Sequence, residues 1–245
     1  MDILYFVTFV VTLISSLLSG IAGGGGGFVS APYWLISGMT PAQGAATGAF
    51  MAMGMSISSV AAFRKSNHFP KDKKLLYVLC VVTFFASVLG AIIIPKIDIQ
   101  AFRHTLAIIT LAALPLLFIK SNASHCLSEH RNIGLGLAVA LLIIGSIITS
   151  SAFTILLALT LVTFFDMSVL QMTALRRLIG IVQATVLFVA FALQGYFVWQ
   201  HAIAGFIGGS IGSYLGTKYV IKKGDSFAKY ALAGMSTAGA IMLLM

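Results

Sequence analysis

The chain has 245 residues, 59% of them hydrophobic and only 9% charged, and its mean hydropathy is +1.04. That excludes an ordinary water-soluble domain and leaves too little polar sequence for a separate catalytic unit, so any function must sit among apolar helices or in short loops. The formal net charge of +9 is assigned to basic loops that anchor helices at the cytoplasmic face, and no nucleic-acid partner is expected.

Eight apolar runs reach or approach the length of a bilayer crossing: 3–19, 43–63, 75–94, 101–119, 133–148, 170–194, 201–220 and 230–245. The first follows Met1-Asp2, without the basic region of a cleavable secretory signal, and is expected to be retained as a span. Two further apolar segments, 28–38 and 152–165, are short. Eleven helical residues rise only about 16 Å, roughly half of the hydrocarbon core, so these read as half-length or re-entrant helices.

The first break, Gly20-Ile21-Ala22-Gly23-Gly24-Gly25-Gly26-Gly27, leads into Phe28-Val29-Ser30-Ala31-Pro32. Each glycine within a helix costs about 1 kcal/mol relative to alanine. Two readings stand side by side: a discontinuous helix whose bare amides at Gly24, Gly25, Gly26, Gly27 and Phe28 meet an anion, or a tight turn and close packing. No Gly-Lys-Ser or Gly-Lys-Thr follows, so this is not a nucleotide phosphate loop. Thr40 then reads as an N-cap with Pro41 at the first helical position. Thr47 is a candidate hydroxyl donor in the span that follows, together with Ser56, Ser58 and Ser59.

The second half breaks at Ser146-Ile147-Ile148-Thr149-Ser150-Ser151, where hydroxyls stand in place of glycines. Thr149, Ser150 and Ser151 donate either to a bound oxyanion or to local carbonyls. Arg176 and Arg177 lie side by side within an apolar run. Arg176 has three readings, an anion site, lipid phosphate contact, or pairing with Asp166. The five histidines are scattered, no acidic residue lies well inside a long run, and Cys80 and Cys126 are isolated. Neither an enzyme constellation, a metal site, a cofactor motif nor a disulfide framework emerges.

The halves echo each other at an offset of about 127 residues: Met39-Thr40-Pro41-Ala42-Gln43 with Met167-Ser168-Val169-Leu170-Gln171, and Ser87-Val88-Leu89-Gly90 with Ser213-Tyr214-Leu215-Gly216. If the short segments only dip in and return, both halves point the same way and the positive-inside bias nearly vanishes. If they pass through, the second half is inverted and all basic residues except Lys96 and Arg103 lie at cytoplasmic ends. Loops 64–74, 120–132 and 221–229 then face the cytoplasm, while both termini and Gly195–Gln200 face outward. The expected fold is therefore an all-α polytopic membrane protein of two inverted repeats, approximately 1–122 and 130–245. It has eight long transmembrane helices and two short broken or half-length ones, in one domain spanning 1–245.

At the glycine-rich break followed by Pro32, and at Gly38-x-Thr40-Pro41-x-x-Gly44-Ala45-x-Thr47-Gly48, the chain resembles the sulfite/organosulfonate exporter family, the TauE/SafE-like membrane permeases. The likeness runs over essentially the whole chain, including the glycines at 205, 208, 209, 212 and 216. It implies a bacterial or archaeal cytoplasmic-membrane protein moving sulfur-containing or carboxylated anions. One departure is Thr149-Ser150-Ser151-Ala152-Phe153, which lacks a glycine cluster and following proline. The resulting expectation is a secondary permease for small anions such as sulfite, thiosulfate, sulfonates or carboxylates, in contact with membrane lipids and with a coupling proton or ion as a further partner. An anion channel and a non-transporting assembly protein remain as alternatives.

Overall fold

The computed structural model describes residues 2–24, 27–66, 68–70, 72–93, 108, 131–148 and 151–244. Among these are α1 (Asp2–Ala22), α2 (Gly27–Ile36), α3 (Pro41–Phe63), α4 (Lys73–Ile93), α5 (Arg131–Ile148), α6 (Ser151–Phe165), α7 (Val169–Leu193), α8 (Trp199–Lys223) and α9 (Asp225–Leu244). Helix is the required answer for a chain this apolar, because it pairs the backbone within each segment. The apolar run 101–119, with Ile108 alone described, lies outside these residues, as do Lys96, Arg103, Cys126 and most of loop 120–132.

The expectation of eight long transmembrane helices is corrected. Four of the described helices are long and apolar enough to cross a membrane: Ile3–Ala22, Pro41–Phe63, Lys73–Ile93 and Val169–Leu193. The reason is composition. The 25-residue α8 has the length, but five of its residues are glycines and its end carries Lys218, Lys222 and Lys223. In α9, Asp225 and Lys229 dilute the apolar character in the same way, and the apolar parts of α5 and α6 are short.

Close packing of small residues sets the arrangement. A Cβ on Gly208 would lie 2.6 Å from the Phe9 carbonyl oxygen, one on Gly212 would strike the Leu13 carbonyl, and one on Gly216 the Leu17 carbonyl. The glycines step by four along α8 as their partners step by four along α1, so the two helices run parallel with their backbones in contact. Met51 and Met55 of α3 meet Gly209, and Ser59 meets Ser213 and Thr217, so α3 runs the same way. Against α7 the order reverses: Ser56 meets Gly180, whereas Phe50 meets Phe188. Because α1 and α3 are parallel, the short α2 must carry the chain back between them. Tyr33 of α2 accordingly reaches Thr8, near the start of α1.

Two helix starts share one geometry. Thr40 and Ser168 each form a capping box with the glutamine three residues on, with φ, ψ of −65°, 157° and −68°, 158°. Each is preceded two residues earlier by a left-handed residue, Gly38 at φ 82° and Asp166 at φ 50°. An apolar core around Phe63, Leu79, Leu161, Leu170 and Leu175 ties α3, α4, α6 and α7 together. By contrast, α4 presents Phe84, Phe85, Leu89 and Ile92 outward, a face suited to lipid.

Asp72 caps α4 by accepting from the Leu75 backbone N–H at 2.9 Å and pairs with Arg131 at the start of α5. The Leu75 hydrogen bond, helped by Arg131, holds its carboxyl below the ordinary 3.8. A depressed folded value means that this stabilisation is present above 3.8 and is lost as the pH falls through the folded value. Asp72→Ala should therefore cost about 1 kcal/mol at neutral pH, and the gap to wild type should close under strong acid, as measured by thermal unfolding in detergent.

Packing at α8 gives a second test. Gly212→Leu forces backbones apart and should cost about 3 kcal/mol or more. Gly136→Ala, in α5 with no described atom within 4 Å of the added carbon, should be neutral or stabilise by up to about 1 kcal/mol. Equal melting temperatures for the two variants would remove the close approach of α1 and α8.

Candidate functional site

The end of α1 and the first three turns of α7 build the site. Gly23 terminates α1 with φ 74°, a left-handed value that favours glycine. A Cβ there would also sit 2.6 Å from Thr173 Oγ1. Thr173, Arg176 and Arg177 are spaced three and four apart on α7 and therefore share one face. Arg176 Nη1 donates to the Gly23 carbonyl at 2.5 Å. Arg177 Nη2 donates to the Ser19 carbonyl at 2.7 Å and to Ser19 Oγ at 3.1 Å.

Both guanidiniums thus rest on carbonyls at a helix C-terminus, where the backbone carries partial negative charge. That charge amounts to about half of one electron, against two full cations. Neither Arg176 nor Arg177 pairs with a described carboxylate. The reading that paired Arg176 with Asp166 is therefore replaced by the Gly23 contact. Arg177 is 8% exposed and its Nε is buried without a hydrogen-bond partner. The result is a site of positive potential with a donor to spare, in surroundings where an unpaired charge is expensive.

Hydroxyls flank it. Ser59 Oγ lies 2.7 Å from Ser213 Oγ and 2.9 Å from Thr217 Oγ1, all three buried. A Cβ on Gly20 would stand 2.7 Å from the Ser213 carbonyl oxygen and 2.9 Å from the Thr217 nitrogen, so this trio shares the level of Ser19. Along α7, Gln183 Nε2 reaches Ser146 Oγ near the end of α5 at 3.5 Å. Arg176 and Gln183 are about 10 Å apart along a helix, so α7 runs past the end of α1 and the last turn of α5.

Of the residues singled out in sequence, Arg176 lies at the break and Gly24 is buried beside Gly23. Gly27 and Phe28 open α2, and Ser151 opens α6. Gly25, Gly26, Thr149 and Ser150 lie outside the described residues. Thr47 is not brought to the arginines. It lies twelve residues before Ser59 on α3, about 18 Å away along the axis, buried and with its Oγ1 unpartnered. Sequence reasoning passed over Arg177 and Ser19 as site residues. The signal available was the Thr173-x-x-Arg176-Arg177 spacing, which puts three polar groups on one helix face.

The two ends of this contact respond differently to mutation. Gly23→Ala should cost more than about 1 kcal/mol through its left-handed backbone and the Thr173 clash. Arg177→Met removes a buried charge that has no countercharge, and it should leave the melting temperature unchanged or raise it. A large destabilisation by Arg177→Met would make the arginine a structural strut.

Residues 8–243 match the sequence family described as sulfite exporter TauE/SafE. A probable membrane transporter protein of Haemophilus influenzae is 25% identical over 241 residues, covering 94% of this chain and 90% of its own length. The probable membrane transporter protein YfcA of Escherichia coli K12 is 25% identical over 245 residues, covering 97% and 88%. A sulfite exporter TauE/SafE family protein 6 of Arabidopsis thaliana is 32% identical over 102 residues, covering 42% and 23%. No solved structure matches significantly. With nearly its whole length matched, and with apolar helices long enough to span a bilayer, the chain is a multi-pass membrane protein that belongs to the sulfite exporter TauE/SafE family of transporters.

Proposed function

We propose that the protein is a secondary permease for small oxyanions, with sulfite, thiosulfate, short sulfonates and carboxylates as the substrate class. The observation that carries this reading is the pair of half-buried Arg176 and buried Arg177, set against helix-end carbonyls with no described carboxylate partner and with the Arg177 Nε unpaired. An ionisable residue inside a membrane domain is a functional-site hypothesis by default, and a small anion is the missing countercharge. The family's description and the transporter names of the relatives point the same way. Transport would draw on an ion gradient or on the substrate's own gradient.

In this proposal the arginines outrank the glycine amides. Gly24, Gly25, Gly26, Gly27 and Phe28 of the first break, and Thr149, Ser150 and Ser151 of the second, are kept as the neutral donors of the proposal on the strength of their sequence alone. The two breaks belong to internal repeats, approximately 1–122 and 130–245. Support for the repeats comes from the matched junctions at Gly38–Gln43 and Asp166–Gln171 and from the exchange of neighbours, since α8 packs on α1 and α3 while α4 packs on α5 and α7.

Purified protein should bind at least one of sulfite, thiosulfate, ethanesulfonate and acetate, and proteoliposomes should show counterflow of the anion bound. Arg177→Met should weaken binding about tenfold or more, with Arg177→Lys intermediate because it keeps charge but loses the planar fork. Wild-type protein that neither binds nor exchanges any of the four anions would discard the permease reading in favour of a non-transporting membrane protein. Rapid current without counterflow would instead mark a channel.

A further inference from the structure

At the opposite end of α1 from the arginines, three helices meet at one hydroxyl. Thr8 Oγ1 donates to the Leu4 carbonyl at 2.8 Å and lies 2.5 Å from Tyr33 Oη of α2 and 2.9 Å from His201 Nδ1 of α8. Thr8 is fully buried and His201 is 7% exposed. The rings of Tyr5 and Trp34 stand edge-on to the imidazole, at 6.2 Å and 6.4 Å between centroids. A hydroxyl has one proton and two lone pairs. With its proton on Leu4, Thr8 must accept from both Tyr33 and Nδ1–H, which leaves Nε2 as the basic nitrogen of the ring.

We propose that His201 is a proton-binding site that couples anion movement to a pH gradient, at the other end of α1 from the anion site; this rests on the permease reading. Of the described carboxylates, Asp72, Asp166 and Asp225 lie at helix ends or in a connection, and Asp2 is the first residue of α1. Among the described residues, His201 is the buried side chain whose ordinary titration falls near neutral pH. The described groups facing it are neutral: Tyr5 from α1, and Tyr33 and Trp34 from α2. No ionisable residue occurs in α3, or in α9 after Tyr230. A proton on Nε2 therefore changes the local charge from zero to one, with no carboxylate among the described contacts to absorb it.

The same helix connects the two sites. Thr8 and Ser19 are eleven residues apart on α1, about 16 Å along its axis, with Thr12, Ser15 and Ser16 buried between them. Thr8 joins α1 to α2 and α8 at one end, and Ser19 joins it to Arg177 of α7 at the other. A shift of α1 on protonation would consequently be felt at the guanidinium.

Two measurements test this. Because Trp34 adjoins the imidazole, tryptophan fluorescence of the purified protein should titrate between about pH 5 and 8, and His201→Gln should abolish that transition. In proteoliposomes, an imposed gradient of one pH unit should drive accumulation of the anion bound by wild type, from the sulfite, thiosulfate, ethanesulfonate and acetate set, towards about tenfold. His201→Gln should keep counterflow yet equilibrate the anion without concentrating it. Thr8→Val, which keeps the imidazole but removes its Nδ1 partner, should shift the midpoint while retaining the transition. Undiminished accumulation by His201→Gln, or its loss of counterflow with a normal melting temperature, would overturn the coupling role while leaving the permease reading intact. Absence of counterflow in wild type would overturn both.

Discussion

The arrangement at both ends of α1 depends on how closely its backbone lies against that of α8. Side chains at positions 208, 212 and 216 would hold the helices apart by the width of at least a methyl group. Their absence lets carbonyl edges of α1 meet bare α-carbons. That contact fixes the direction and register of α8. In one stroke it places His201 beside Thr8, and Ser213 and Thr217 beside Gly20. The glycines that make α8 a poor span by hydropathy are the ones that give it a defined position. Low apolarity is here the cost of contact between helices.

Within this frame the polar groups divide by strength. Hydroxyls such as Ser59, Ser213 and Thr217 satisfy one another and can remain buried at little cost. The arginines cannot be satisfied in that way. Helix-end carbonyls neutralise only part of their charge, and the remainder is an electrostatic demand that the described protein groups do not meet. A permeant anion meets that demand transiently. Retaining two uncompensated charges in an apolar bundle lowers stability, as expected where function opposes the best packing.

Much of this was readable in the chain, and the limits have physical causes. The helical character, the break after Ala22, the short segments and the cap at Thr40 follow from local composition and turn chemistry, whereas the capping box at Ser168 was passed over. The number of spans did not follow, because apolar stretches in α8 and α9 read as crossings until their glycines and charges are weighed across the whole helix. Thr47 resembled a site residue since a buried hydroxyl can serve any level of a helix, and only the register of α3 against α8 separates it from the arginines. Arg177 and His201 were hidden for the same reason: their partners, Ser19 and Thr8, are far away in sequence and come near only through tertiary packing.

The left-handed residues that precede α3 and α7 hold a further consequence. Gly38 and Asp166 occupy equivalent places, two residues before a capping threonine or serine, yet one is free of Cβ strain and the other is not. Placing a non-glycine residue in that region costs on the order of 1 kcal/mol. The joint before α3 is thus compliant and the joint before α7 is stiff. Two halves built on a common pattern need not bend equally: glycine at 38 leaves the joint before α3 a wider range of backbone angles than Asp166 leaves the joint before α7.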